Sequence, residues 1–160
     1  MSRELPNVAS ILGEIFAKVA AEERPLLLAF AERLAGQRYR DWAASHHDPT
    51  VARGLLACAD REEEIARRVE ALEPQAQAIQ ERILTQMPEL PELSETIFAG
   101  RPLSDQLTIQ ASGERAGAST WKVFADSTAD ENVRDVYLSC APLELENAAF
   151  LESLLDAVAG

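Results

Sequence analysis

The sequence predicts an all-α protein: a four-helix bundle made of two duplicated helical hairpins, with a long crossover and accessory helices. Three observations carry that prediction. Alanine, leucine and glutamate dominate the chain while glycine and proline number only 7 and 8, a composition that favours helix. Apolar residues recur along the candidate helices at three- and four-residue spacing, the signature of a buried helical stripe. The chain also repeats itself without a gap when displaced by 82 positions, pairing Glu32–Leu72 with Glu114–Leu154.

The repeat is dense enough to be more than shared composition. Identical residues fall at 14 of the 41 paired positions, where average residue usage gives about three. They include Glu32/Glu114, Arg33/Arg115, Ser45/Ser127, Asp48/Asp130, Cys58/Cys140, Glu62/Glu144, Glu70/Glu152 and Leu72/Leu154.

Taken in chain order, the elements follow from local signals. Residues 1–24 carry an amphipathic stripe at Val8, Ile11, Leu12, Ile15, Phe16 and Val19, which predicts an accessory helix before Pro25. Residues 25–73 form the first hairpin. Its first helix follows Leu28, Ala35, Tyr39 and Trp42 and stops near "SHHDP". Asp48 is a good N-cap for the next helix, with Pro49 at its first position, and that helix follows Val51, Leu55, Cys58, Glu62, Ile65, Val69 and Leu72. Residues 74–102 are the crossover, where Ile79, Ile83, Leu84 and Met87 predict a short helix and Pro88, Pro91 and Pro102 a broken path. Residues 103–158 are the second hairpin, with Asp130 repeating the cap and a seam at Val133, Tyr137, Cys140, Glu144, Asn147, Leu151 and Leu154.

Composition excludes several roles. At 160 residues, with 47% apolar and 26% charged residues, the chain has the size and make-up of one globular domain spanning 1–160. A formal charge of -12 leaves no basic stripe for a phosphate backbone, so nucleic acid is not expected as a partner. No apolar run approaches bilayer length and the N-terminus lacks a secretory pattern, so no membrane span is expected and the expected location is cytoplasmic. The two cysteines are too few for a disulfide scaffold and read first as reduced core thiols.

The chemistry lies in the acids inside the seams. Glu32 precedes Asp48 by 16 positions and Glu62 follows it by 14, and Glu114 and Glu144 stand at the same distances from Asp130. At about 1.5 Å of rise per residue, all four climb to one level of the bundle. Four desolvated carboxylates are unfavourable together unless some are protonated or a cation neutralises them.

One Glu on each first helix and a Glu-x-x-His on each second helix is the ligand set of ferritin-like di-iron carboxylate bundles. The stretch "ERLAGQRYRDWA…LLACADREEEIA" resembles the rubrerythrin branch, with Glu32, Tyr39 and Glu62 in the matching places; Glu114, Trp121 and Glu144 match in the second copy. The resemblance implies a ferritin-like fold and a di-metal site, with Glu62 and Glu144 bridging two ions and Glu32 and Glu114 as terminal ligands. It also implies a non-haem oxidoreductase acting on dioxygen or peroxide, and a homodimer in which the N-terminal stripe could cover the partner. The pattern departs at both histidines, which are Ile65 and Asn147 here. Ile65 cannot coordinate and Asn147 offers an amide oxygen, so the ligand set is all oxygen and suits Mn, Mg or Ca as well as Fe. No Cys-x-x-Cys segment is present to deliver electrons. A metal-free ferritin-like module, structural or protein-binding, is the alternative reading.

Other residues have plainer roles. Glu63 and Glu64 fall off the seam and read as solvated acids. Cys58 and Cys140, one turn from Glu62 and Glu144, are core residues before they are soft ligands or a redox pair. Tyr39 and Trp121 are packing residues that could also donate to a carboxylate or serve as redox-active rings. His46 and His47 lie at a helix end, far from the acids.

Overall fold

The computed structural model describes residues 4–159, whose regular structure is all helical with no strand among them. Seven α-helices follow in order: α1 (Val8–Phe16), α2 (Arg24–Ser45), α3 (Pro49–Glu70), α4 (Ala76–Gln86), α5 (Leu90–Phe98), α6 (Leu103–Ser127) and α7 (Glu131–Ala159).

Local chemistry sets the boundaries. Asn7 accepts from the Ser10 amide and starts α1. Pro25 sits in the first turn of α2, where its missing N–H costs nothing. Asp48 accepts from the Thr50 amide at 2.8 Å to cap α3, and Asp130 accepts from Asn132 and Val133 at 2.9 and 3.2 Å to cap α7. The helices before these caps end at Ser45 and Ser127, again 82 positions apart. Pro142 lies inside α7 and withholds one N–H from it, leaving the Leu138 carbonyl without its helical donor.

Helix α2 packs along α3, α6 packs along α7, and the two pairs meet chiefly where α3 lies on α7; α1 rests on α6 and α4 on α2. The crossover holds two short helices rather than the one predicted: Pro88 falls between α4 and α5, and Pro91 sits in the first turn of α5, where proline is tolerated. Bidentate pairs brace each hairpin at equivalent places: Arg33 grips Glu70 through Nε at 2.8 Å, and Arg115 grips Glu152 at 2.6 Å through both Nε and NH2. Exposed pairs of this kind contribute about 0–1 kcal/mol each, so they align the helices more than they stabilise them.

Apolar burial does the larger work. One cluster gathers Tyr39, Trp42, Leu55, Cys58, Leu107 and Leu151, and a second gathers Leu28, Ile65, Val69, Trp121 and Cys140. A third, of Val19, Leu27, Ile83, Met87 and Leu90, seats the crossover helices on α2. On every long helix the seam glutamate stands between a residue of the first cluster and one of the second: Ala29–Glu32–Tyr39, Ala59–Glu62–Ile65, Ala111–Glu114–Trp121 and Cys140–Glu144–Leu151. A polar layer is thus sandwiched between two apolar ones. No described helix is long and apolar enough to cross a membrane.

Candidate metal centre

All four seam glutamates are inside the protein: Glu62 is fully buried, Glu114 and Glu144 are 1% exposed and Glu32 is 6% exposed. Asn147 is fully buried beside them. Carboxylate oxygens of Glu32, Glu62 and Glu144 lie within 4.8 Å of one another. Glu114 shares the layer but is not part of this close group of three. Its Oε1 instead accepts from the Tyr39 hydroxyl at 2.5 Å and from Gln110 Nε2 at 2.8 Å. All four predicted acids are thus buried, and three of them gather while the fourth, Glu114, has one oxygen engaged by Tyr39 and Gln110.

The remaining donors fix the group. Trp121 Nε1 donates to Glu144 Oε1 at 2.9 Å, and Asn147 Nδ2 donates to Glu62 Oε1 at 2.6 Å and to the Cys58 carbonyl at 3.4 Å. Tyr39 and Trp121 are thus carboxylate donors as well as packing residues. Gly117 supplies space that no other residue would: a Cβ there would stand 2.6 Å from Glu144 Oε1 and 2.9 Å from its carboxyl carbon. A glycine in a helix interior costs about 0.5–1 kcal/mol relative to alanine, and here that cost makes room for a carboxylate.

Several oxygens are left over. Glu62 Oε2, Glu114 Oε2 and Asn147 Oδ1 are buried with no hydrogen-bond partner among the described residues. Such orphans are rare and costly in folded proteins. Three unsatisfied acceptor oxygens from three helices, beside gathered carboxylates, form a donor set that fits a hard or borderline divalent cation.

Burial and mutual repulsion act on the acids in the absence of such an ion. Burial pushes the carboxyls of Glu62 and Glu144 well above the usual carboxylate range, and the neighbouring glutamates push them further. Burial raises Glu32 too, opposed by hydrogen bonds involving Glu62 and Glu144. Without a cation, burial therefore favours the protonated forms of Glu32, Glu62 and Glu144.

Around the centre the other candidates take the plainer roles. Glu63 pairs with Arg33 and Arg40, and Glu64 with Arg67 and Arg68. His46 and His47 stack on each other at the end of α2, and His46 Nδ1 accepts from the Asp48 amide. Ile65 is fully buried in the second apolar cluster. Cys58 and Cys140 are free and buried in different clusters, and burial pushes both thiols up to about 12. Both should therefore react with a thiol reagent only as fast as the fold opens. Rapid labelling of either thiol in the native protein would contradict this placement.

Gln110 and Gly117 were not singled out by the seam pattern. Gln110 lies four residues before Glu114, one helical turn away on the same face, and an interior glycine beside a seam acid marks a close approach. Comparison with family models, with curated proteins and with solved structures gives no match to this chain, so its function is read from residues and geometry.

Proposed function

We propose that this chain is a ferritin-like bundle of two duplicated helical hairpins, related to the rubrerythrin branch, that holds divalent metal in its buried carboxylate layer. The observation that carries the reading is the gathering of Glu32, Glu62 and Glu144 within 4.8 Å beside three orphaned buried oxygens. Glu32, Glu62 and Glu144 would hold one ion, and Glu114 Oε2 and Asn147 Oδ1 are the donors left for a second. Iron or manganese, when bound, would supply electron exchange with dioxygen or peroxide, the chemistry of a non-haem di-metal oxidoreductase.

The chain's own residues prepare that site. Trp121 and Asn147 orient Glu144 and Glu62 by hydrogen bonds, Tyr39 and Gln110 hold Glu114, and Gly117 leaves the space that Glu144 fills. Apolar layers on either side exclude water, which strengthens attraction between carboxylates and a cation. One observation favours the metal-free module instead: Ile65, where the resemblance asks for histidine, is packed in an apolar cluster.

Restoring the missing imidazoles separates the two readings. The double variant Ile65→His, Asn147→His should bind Fe(II) about tenfold or more tightly than the parent, a gain of about 1.4 kcal/mol or more, as read by equilibrium titration. A thermal melt checks that the variant is folded. A folded variant with unchanged affinity would mean that the glutamates are not arranged as in the ferritin-like bundles.

A further inference from the structure

A cavity of ≈ 140 Å³ opens between α1, α2, α5 and α6. Its walls are mostly aliphatic: Ile11 and Ile15 of α1, Leu27 of α2, Leu93 and Ile97 of α5, and Ile109 of α6. The hydrophobic stripe of α1 is thereby turned to the cavity, although α1 itself contributes no fully buried residue. A space of this size has room for an apolar body of about six carbons, as engineered cavities of about 150 Å³ accept benzene.

One cation stands in this apolar wall. Arg38 lines the cavity with Glu32, Ser94, Phe98 and Gln110. Its guanidinium carbon lies 3.8 Å from the centre of the Phe98 ring, and its NH1 and NH2 donate to Gln110 Oε1 at 2.7 Å and to Ser94 Oγ at 2.6 Å. Those contacts hold the plane of the guanidinium while using two of its five N–H donors. No carboxylate pairs with Arg38 among the described residues. Glu62, Glu114 and Glu32 act on it only at longer range, and burial lowers its pKa to about 10, so it remains charged at neutral pH. A held, charged and half-buried guanidinium beside an empty apolar space is the arrangement that recognises a carboxylate carried on an apolar body.

We infer that the cavity is a binding site for a small amphiphilic monocarboxylate, its head on Arg38 and its alkyl body among the aliphatic residues of α1, α5 and α6. The site is separate from the metal reading: Arg38 is not a metal donor, and the apolar walls are present whether or not an ion is held. The cavity does reach the carboxylate layer, since Glu32 and Gly117 are among its lining residues and Gln110 bonds both Arg38 and Glu114.

The test is isothermal titration of the full chain with hexanoate, hexanol and hexylamine, which differ only in the head group, in chelated and in Mn(II)-loaded protein. Hexanoate should bind in both, at least tenfold more tightly than hexanol. Arg38→Gln should bring hexanoate to the level of hexanol, and Leu93→Trp, which fills the cavity, should remove binding of both. Should Arg38→Gln fail to fold, the ratio of hexanoate to hexanol and the Leu93→Trp variant still decide. Equal binding of hexanoate and hexanol, tighter binding of hexylamine drawn by Glu32, no binding of hexanoate, or hexanoate binding that survives Leu93→Trp would each overturn the inference. Binding of hexanoate only to Mn(II)-loaded protein would overturn it as well, by making the metal rather than Arg38 the acceptor of the head group.

Discussion

Stripped of metal, the protein should lose stability as the pH rises from the acid range toward neutral. The carboxyls of Glu62, Glu144 and Glu32 are raised above the ordinary value of 4.5 in the folded state, first by burial. A group raised in this way takes up its proton more readily folded than unfolded. Its contribution is complete below the unfolded value and is lost as the pH passes upward through the folded one. The window therefore opens near pH 4.5 and extends upward. Each group that titrates differently in the two states changes the unfolding free energy by at most about 1.4 kcal/mol per pH unit, and three acids acting in one layer make this the largest pH effect in the molecule. Glu64 works the other way, held down to about 2 by Arg67 and Arg68, but it is an exposed pair and its loss in strong acid is minor. Saturating Mn(II) should reverse the slope, since the ion binds the deprotonated carboxylates and competes with protons. Thermal melts across that range, with metal and without, would show it. A chelated protein that gains stability from pH 5 to pH 8 would contradict the assignment of these three groups.

Replacing Glu62 with leucine should raise the melting temperature of the chelated protein at neutral pH and abolish stabilisation by metal. Glu62 is fully buried between Ala59 and Ile65, and leucine is close to it in size. Replacing buried ion pairs with packed apolar residues is often neutral or stabilises by about 1–4 kcal/mol, and Glu62 bears its desolvation among like charges rather than beside an opposite one. Against this stands the loss of the close acceptor for Asn147 Nδ2, which keeps only the Cys58 carbonyl at 3.4 Å, a cost of about 1–3 kcal/mol for a buried donor. A net gain of about 1 kcal/mol corresponds to about 2–4 °C for a chain of this length. Destabilisation of the chelated protein together with an unchanged response to metal would be the opposite result, and would mean that Glu62 is a structural acid.

Much of this was readable from the chain because it depends on local chemistry and helical period. The Asp48 and Asp130 caps, the stops at Ser45 and Ser127 and the burial of four acids follow from spacing along single helices. What spacing does not reach is the choice a side chain makes among partners on other helices. Glu114 could not be told from Glu32 by position, yet the Tyr39 hydroxyl from α2 and Gln110 within α6 claim one of its oxygens. The role of Arg38 was hidden for the same reason, since Ser94, Phe98 and Gln110 come to it from other helices. In the crossover the apolar residues announced a helix, but Pro88, which falls between α4 and α5, was read only as part of a broken path.

Metal binding by the carboxylate layer is tested most directly by a thermal melt of the chelated protein at neutral pH before and after adding Mn(II) or Fe(II). A ligand bound by the native state alone stabilises by about 2.7 kcal/mol at a hundredfold excess over its Kd. The melting temperature should therefore rise by roughly 5–10 °C on adding metal and return when chelator is added again. A melting temperature indifferent to metal and to chelator would rule out metal binding and leave a buried carboxylate layer in a metal-free bundle.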